Sequence, residues 1–290
     1  MSRLLDANKE DEDTSSELTL RPQTLKDYVG QSELKHNLKV FIVGAKNRNE
    51  CLDHVLLYGP PGLGKTTLAY VIANEMGGKI KVINGPSIEK PGDLAAILSE
   101  LEAGDVLFID EIHRLPSQVE EVLYGAMEDF KLSIMINRDG NAKALTMDLA
   151  PFTLVGATTR AGDLSSPLRA RFGISAKLNF YTPEELAQII ERTSHVLGMP
   201  IDKDAEMLLA HRSRGTPRIA NRLYKRVRDF ASYEDKEVID KAAALNALTA
   251  LKIDELGLDD VDIKYLTAII ERFHVQAIDL RRECGQRLVR

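Results

Sequence analysis

The residues best able to do chemistry lie in a glycine-rich segment, residues 59–66, which reads Gly-Pro-Pro-Gly-Leu-Gly-Lys-Thr. This is the complete G-x-x-x-x-G-K-[ST] spacing of a phosphate-binding loop, placed between an apolar run and a segment of helical character. Glycines such as Gly62 let backbone N–H groups turn towards phosphate oxygens. Lys65 would add a charge for the terminal phosphates, and the Thr66 hydroxyl would ligate Mg²⁺. The other interpretation is a glycine-rich turn that fits by chance; the flanks favour binding of a nucleoside triphosphate.

A second apolar run, residues 105–109, ends in two carboxylates, Asp110 and Glu111. In a Walker B arrangement, Asp110 would hold Mg²⁺ through its water shell, and Glu111 would orient and deprotonate the attacking water. The alternative is that both side chains only cap the next helix, which the sequence places near Leu115. The prediction of hydrolysis, rather than binding alone, depends mainly on Glu111.

The composition is ordinary for a soluble globular protein: 290 residues, 44% hydrophobic and 28% charged, with room for two or three domains. A net charge of −6 gives no support to nucleic-acid binding, and the absence of tryptophan argues against a base-stacking platform. Cys51 and Cys284 indicate neither a disulfide framework nor a zinc site. No apolar stretch approaches the roughly 18 residues of a membrane helix, so we expect a cytoplasmic protein without membrane contact.

Four segments are expected along the chain. Residues 1–19 are acidic and poor in apolar side chains, which predicts a disordered arm. Residues 20–181 alternate between strands and helices, which predicts an α/β domain with a mostly parallel sheet covered on both faces. Residues 182–254 predict a small helical domain, and residues 255–290 begin a third piece. The candidate strands of the α/β domain are 54–58, 79–83, 105–109, 152–157 and 176–180.

One segment, residues 130–149, interrupts the alternation and is typical of a β-hairpin with a glycine-containing loop. Its residues Ile134 and Ile136 fit either ordinary sheet packing or an exposed docking surface for a partner.

The helical domain opens with Thr182, Pro183 and Glu185, the pattern of an N-cap, a first-turn proline and a capping-box glutamate. Thr216 and Pro217 predict another start of the same kind. Seven basic and no acidic residues occupy 212–228, which favours a mostly solvated face. The helices are predicted at 182–198, 202–212, 217–231, 236–251 and 261–273.

Two polar clusters lie between the carboxylates and the helical domain. Either Thr158 or Thr159, at the end of a predicted strand, could contact the terminal phosphate or the attacking water, although threonine is also a common strand residue. Arg169 and Arg171 could be solvated charges, or an arginine finger reaching the phosphate of a neighbouring copy. Arg218 is the residue of the helical domain best placed to approach the nucleotide.

Together these segments resemble the AAA+ ATPases, and within them the RuvB family of Holliday-junction branch-migration motors. The combination is much narrower than the Walker motifs alone. The strings that carry the likeness are residues 20–22, 27–31, 59–67, 108–115, 128–130, 156–160, 166–173 and 215–223.

The resemblance implies roles that spacing does not show. Phosphates would be held by Gly62, Lys65, Thr66 and Thr67, and the adenine pocket would involve Leu20, Arg21 and Tyr181. Thr158 would be sensor 1, Arg171 the finger acting in trans and Arg218 sensor 2. Further nucleotide contacts would come from Glu128, Asp129 and Phe130.

The resemblance also implies partners. Members work with ATP and Mg²⁺ as hexameric rings around duplex DNA at four-way junctions, with RuvA, which would dock on the hairpin, and with RuvC. Their third domain is a winged helix, so residues 255–290 are expected to be its beginning, truncated. Because residues 274–290 do not resemble it, direct DNA contact is doubtful and we predict no DNA-binding residue. Two alternatives stay open: a clamp-loader or initiator-like switch, and an idle ATP-binding scaffold.

Overall fold

A computed structural model of the protein describes residues 20–138 and 141–273. The predicted acidic arm and residues 274–290 lie outside the described residues. The strands are β1 Val55–Tyr58, β2 Ile80–Asn84, β3 Val106–Asp110, β4 Lys131–Arg138, β5 Asn141–Asp148, β6 Thr153–Thr158 and β7 Ile174–Lys177. The helices are α1 Ser32–Arg48, α2 Lys65–Met76, α3 Pro91–Ser99, α4 Ser117–Glu128, α5 Ser166–Ala170, α6 Pro183–Leu197, α7 Lys203–His211, α8 Pro217–Tyr233, α9 Lys241–Ala250 and α10 Asp260–Phe273.

By their internal contacts the described residues form two units. One contains residues 22–60 and 65–178, which we call the sheet unit; the other contains residues 20–21, 61–64 and 179–273, which we call the helical unit. The tip of the predicted phosphate-binding loop thus groups with the helical unit, whereas the strand before the loop and the helix after it belong to the sheet unit.

The sheet unit is built on a five-stranded parallel sheet with the order β2-β3-β6-β1-β7. Both faces are covered, because residues 106–109 of β3, whose side chains point alternately to opposite faces, are all buried. Leu107 and Ile109 belong to a core cluster with residues of α3 and α4, and Phe108 between them is equally buried. The predicted parallel sheet is therefore confirmed, with strand bounds shifted by one to three residues.

The interruption at 130–149 is the predicted antiparallel hairpin. Strands β4 and β5 form a separate two-stranded sheet, with Ile134 opposite Leu145. The side chains of Ile134 and Ile136 lie outside the described part of the structure, so the choice between packing and docking stays a hypothesis.

The helical unit starts as its capping pattern predicts. The Thr182 hydroxyl accepts the Glu185 N–H at 3.2 Å, and the Glu185 carboxylate accepts the Thr182 N–H at 2.9 Å. Thr216 does occupy the N-cap position of α8, but its hydroxyl donates to the Arg214 carbonyl at 3.2 Å and does not cap the helix.

Two expectations for this unit are wrong. Helix α9 begins at Lys241 and not at residue 236, because Ile239 pairs with Ile201 in a β-bridge and Asp240 caps the helix. The basic segment 212–228 is also less solvated than expected. Its Arg212 is buried and donates to the Ile253 carbonyl, and Arg214 forms an ion pair with Asp262 in which both side chains are mostly buried.

The described residues contain no helix that is both long and apolar enough to cross a membrane.

Candidate nucleotide site

The phosphate-binding loop requires glycine at its first position. Gly59 has a φ of 144°, and a Cβ there would lie 2.7 Å from the Leu178 carbonyl oxygen. Gly62 and Gly64 also have positive φ values, 79° and 92°. The loop can therefore adopt its turn only with this glycine spacing.

Lys65 is the first residue of α2. Its ammonium group lies against Gly59 and Pro60, the residues of the loop that belong to the sheet unit. Its Nζ donates to the carbonyl oxygens of Gly59 at 2.9 Å and Pro60 at 2.8 Å, and the residue is only 7% exposed. Carbonyl oxygens satisfy an ammonium group without cancelling its charge. Together with the positive end of α2, this leaves a local field that favours an anion.

The two predicted carboxylates lie at the carboxyl end of strand β3, Asp110 as its last residue and Glu111 directly after it. Asp110 Oδ1 accepts the Glu111 N–H at 2.9 Å, and Glu111 pairs with Arg114 at 2.9 Å. Glu111 has a φ of 48°, an uncommon backbone conformation for a residue with a side chain and one that recurs at functional sites. Helix α4 starts at Ser117 without a side-chain cap, so the alternative that these carboxylates cap it is wrong.

The turn after β3 also depends on a glycine that sequence reasoning missed. A Cβ on Gly85, the residue after β2, would lie 2.7 Å from the Glu111 carbonyl oxygen and 3.1 Å from that of Asp110. The backbone of the carboxylate turn rests directly on this position. A close backbone approach of this kind has no local signature in sequence.

Strand β6 brings its hydroxyl residues between the loop and the carboxylates. Thr158 is fully buried, and its hydroxyl is 2.9 Å from both the Arg160 N–H, which it accepts, and His113 Nδ1. Thr159 is exposed. Of the two threonines that the sequence left open, burial favours Thr159, and not Thr158 as the resemblance implies, as the hydroxyl able to approach a bound phosphate.

The loop, the carboxylates and Thr158 lie at the carboxyl ends of three adjacent parallel strands, β1, β3 and β6. Tyr58, at the end of β1, pairs with Thr158 in β6, and Ile109 in β3 pairs with Gly156 in β6. Carboxyl ends of parallel strands share one edge of the sheet, so the loop, Asp110 and the β6 end meet there. The candidate Mg²⁺ ligands of this edge, the Thr66 hydroxyl and the Asp110 carboxylate, are hard oxygen donors of the type that the ion prefers.

Arg171 lies at the edge of the sheet formed by the amino ends of the strands, which we call the amino edge, opposite the edge that carries the loop. It precedes β7, which runs parallel to β1 with Ile174 beside Val55, and the four residues of β1 span about 13 Å. Its guanidinium pairs with Glu128, Nη2 to Oε1 at 3.1 Å, and is therefore directed away from the loop that follows β1.

The other predicted nucleotide contacts, Glu128, Asp129 and Phe130, lie at the carboxyl end of α4, on the same edge as Arg171, with which Glu128 pairs. The Phe130 ring packs against those of His54 and Phe152. Arg171, His54 and Phe130 are among the residues lining a cleft of about 930 Å³. The structure therefore brings these predicted contacts together with Arg171 but not with the loop.

Within the helical unit, two of the remaining predicted residues, Tyr181 and Arg218, contact the tip of the loop. The Tyr181 hydroxyl donates to the Leu63 carbonyl at 3.3 Å, and the Arg218 N–H donates to the Gly62 carbonyl at 3.3 Å. The carbonyl of Arg21, which follows Leu20, accepts from Arg192 at 3.1 Å. Tyr181 and Arg218 thus each bond a carbonyl of the loop tip, those of Leu63 and Gly62 respectively.

Comparison with protein families assigns most of the chain. Residues 20–178 match the model described as the Holliday junction DNA helicase RuvB P-loop domain, and residues 181–254 match the RuvB AAA lid domain. The chain belongs to the RuvB family. It is thereby an AAA+ ATPase, as the site at the carboxyl edge of the sheet leads one to expect.

Solved structures agree with this membership. The RuvB Holliday-junction branch-migration motor of Thermotoga maritima is 51% identical and superposes with a TM-score of 0.80, over 88% of this chain and 81% of that chain. A point-mutant form of the same Thermotoga protein gives a TM-score of 0.81 at the same identity and coverage. The fold of these RuvB-family chains is therefore shared across both matched domains.

Proposed function

We propose that this RuvB-family chain is the ATP-hydrolysing subunit of a hexameric ring that drives Holliday-junction branch migration on duplex DNA. The observation that carries the proposal is the division of charged groups between two edges of one sheet. The phosphate loop and the carboxylates share the carboxyl edge, whereas Arg171 lies at the amino edge. An arginine so placed serves a phosphate only when a second copy supplies it, and a ring closes that arrangement.

In this proposal each group at the carboxyl edge has one task. Lys65, Thr67 and the loop N–H groups bind the phosphates, and Glu111 accepts the proton of the attacking water. Thr66 and Asp110 would hold Mg²⁺, which when bound neutralises charge on the phosphate oxygens. Arg171 of a neighbouring copy would stabilise the charge that develops on the terminal phosphate.

The nucleotide base and the partners are assigned by family membership. Leu20, Arg21 and Tyr181 would contact the adenine, and Arg218 would respond to the phosphates. The β4–β5 hairpin is the proposed docking site of RuvA, and RuvC would cut the migrated junction. Direct DNA contact by residues 255–290 forms no part of the proposal.

Hydrolysis is tested with Glu111→Gln, which keeps the size of the side chain and removes the base. We expect turnover to fall by about 10²–10⁴-fold while ATP still binds. Glu121→Gln, an exposed glutamate of α4, is the matched control and should leave turnover unchanged. A wild-type chain that binds ATP without turnover, with duplex DNA and RuvA present, would instead support the idle scaffold.

Motor activity is tested by strand displacement on a synthetic four-way junction with ATP, with and without RuvA. We expect ATP-dependent displacement that RuvA stimulates and that Glu111→Gln abolishes. ATP hydrolysis without any displacement, in the presence of RuvA, would favour the clamp-loader or initiator-like switch.

A further inference from the structure

The guanidinium of Arg171 is held on three sides by its own chain. The centre of the Tyr124 ring lies 4.3 Å from its Cζ atom, in cation–π geometry. Nη2 is 3.1 Å from Glu128 Oε1, and Nη1 donates to the Pro167 carbonyl at 2.7 Å. Among the described residues, Arg171 Nε has no hydrogen-bond partner. The guanidinium group is therefore oriented in the isolated subunit.

The Tyr124 ring is itself fixed at its hydroxyl end. The Tyr124 hydroxyl donates to Glu120 Oε2 at 3.0 Å, and the Ser165 hydroxyl donates to the same oxygen at 2.6 Å. Ser165 also caps α5 by accepting the Leu168 N–H. The buried carboxylate of Glu120 thus joins Tyr124 to the start of α5, the helix that Arg171 directly follows.

These contacts form a single stripe on α4. Glu120, Tyr124 and Glu128 recur every four residues, a spacing that places them on one face of a helix. The neighbouring face, which includes Val119 and Leu123, is buried in the core of the sheet unit. Because that neighbouring face is packed into the core, the helix that carries the stripe is held in place, and the segment 165–171 lies against the stripe.

The two α4 groups that hold the guanidinium differ in what they do when an anion arrives. Glu128 carries a negative charge and is 56% exposed, so a phosphate would compete with it for the same N–H groups. The Tyr124 ring contacts the guanidinium without neutralising its charge, so it does not have to leave when the N–H groups donate to a phosphate. Only the tyrosine can keep its contact while the guanidinium binds phosphate.

We infer that Tyr124 is the positioning residue for Arg171: its ring sets the plane of the guanidinium that meets a neighbouring copy's terminal phosphate. The inference rests on the proposed function, in which Arg171 acts in trans. Tyr124 touches neither ATP nor water in this role and acts only through Arg171.

The test compares Tyr124→Leu, which removes the ring, with Tyr124→Phe, which keeps it and removes the hydroxyl. We expect Tyr124→Leu to lower kcat about tenfold with KM for ATP unchanged, and Tyr124→Phe to stay within about threefold of wild type. Tyr233→Leu, at an exposed tyrosine of α8, is the matched control and should leave kcat unchanged. If thermal melting shows that Tyr124→Leu is unfolded, Tyr124→Met replaces it.

A double-mutant cycle separates positioning from general stability. In an Arg171→Ala background, Tyr124→Leu should change the residual kcat by less than about twofold, because the group it positions is gone. An equal loss of kcat in both backgrounds would mean that the tyrosine is merely structural, and would overturn the inference.

The cycle also distinguishes failure of the inference from failure of the proposed function. If Arg171→Ala loses turnover but Tyr124→Leu does not, only the role of Tyr124 is wrong. If wild type has no turnover, or Arg171→Ala keeps all of it, the proposed function of Arg171 fails and the inference fails with it.

Discussion

The hydroxyl of Thr158 has two protein partners at 2.9 Å, the Arg160 N–H and His113 Nδ1, and lies in a fully buried side chain. A hydroxyl has one proton and two lone pairs, so these contacts leave it little to offer a ligand. Thr159, the next residue, is exposed at the edge where the loop and carboxylates meet. At the scale of residues, burial and hydrogen bonding distinguish two threonines that the sequence pattern alone could not tell apart.

Valine substitutions at the two threonines should therefore have different effects. Thr158→Val removes a buried hydroxyl from its two polar partners, the Arg160 N–H and His113 Nδ1, and should lower the free energy of unfolding by about 1–3 kcal/mol. Thr159→Val should leave stability within about 0.5 kcal/mol and lower turnover at least about tenfold. Chemical denaturation and steady-state ATPase assays measure both. If Thr159→Val has normal turnover and a fully stable Thr158→Val has none, the hydroxyl that contacts the terminal phosphate is that of Thr158.

At the scale of elements, the carboxylate turn after β3 is held by its neighbour β2. The residue after β2 is Gly85, and its Cα approaches the Asp110 and Glu111 carbonyls so closely that no side chain fits. The position of Glu111, on which the hydrolysis prediction depends, is therefore set partly by a residue 26 positions earlier in the chain.

Gly85→Ala should displace the Glu111 backbone, since the atoms that the new methyl group meets belong to main chain that cannot rotate away. We expect turnover to fall at least about tenfold and the free energy of unfolding to fall by about 1–3 kcal/mol. Gly92→Ala in α3, where a Cβ would meet nothing within 4 Å, is the control and should be neutral. Unchanged turnover and stability in Gly85→Ala would contradict the packing argument.

His54 joins three elements of the same unit and should make its stability depend on pH. Its Nδ1 accepts the Leu154 N–H at 2.9 Å, and its Nε2 lies 3.0 Å from the Met127 carbonyl, so the bonded ring is neutral. Burial lowers the pKa of His54 below its usual value near 6.5. The unfolded chain therefore takes up the proton first, and stability is lost as the pH falls from about 6.5 towards the lower folded pKa.

The change to test is His54→Gln, which cannot titrate. Between pH 7.5 and 5.5 the free energy of unfolding should fall more steeply in wild type than in this variant. Denaturant titrations at the two pH values measure the difference, and parallel pH profiles would show that His54 does not contribute.

At the scale of the whole molecule, the two edges of the parallel sheet carry complementary halves of the proposed reaction. The carboxyl edge has the loop and Glu111, and the amino edge has Arg171 packed against α4. In the proposed reaction one chain would therefore supply a phosphate site at one edge and an arginine finger at the other, and neither would complete the other within the chain.

Mixing two inactive variants tests this arrangement. Glu111→Gln has no base but keeps its finger, and Arg171→Ala has the base but no finger. If the finger acts in trans, random mixed rings should regain up to about a quarter of wild-type turnover, because some intact sites then face an intact finger. A mixture as inactive as either variant alone, in rings shown to exchange subunits, would contradict action in trans.

The sequence by itself determined the local chemistry and the elements that carry it. Glycine spacing at 59–64, the apolar run before Asp110 and the capping box at Thr182 are properties of neighbouring residues, so they can be recognised without a fold. Family likeness then supplied the roles of residues that spacing cannot assign.

Tertiary structure decided what depends on residues distant in the chain. Which threonine hydroxyl is buried follows from His113, 45 positions away, and the need for glycine at position 85 follows from the backbone of Glu111. The edge at which Arg171 lies follows from strand order and direction, since a parallel partner for β1 must begin where β1 begins. These are contacts across the sheet, and no window of sequence contains both partners.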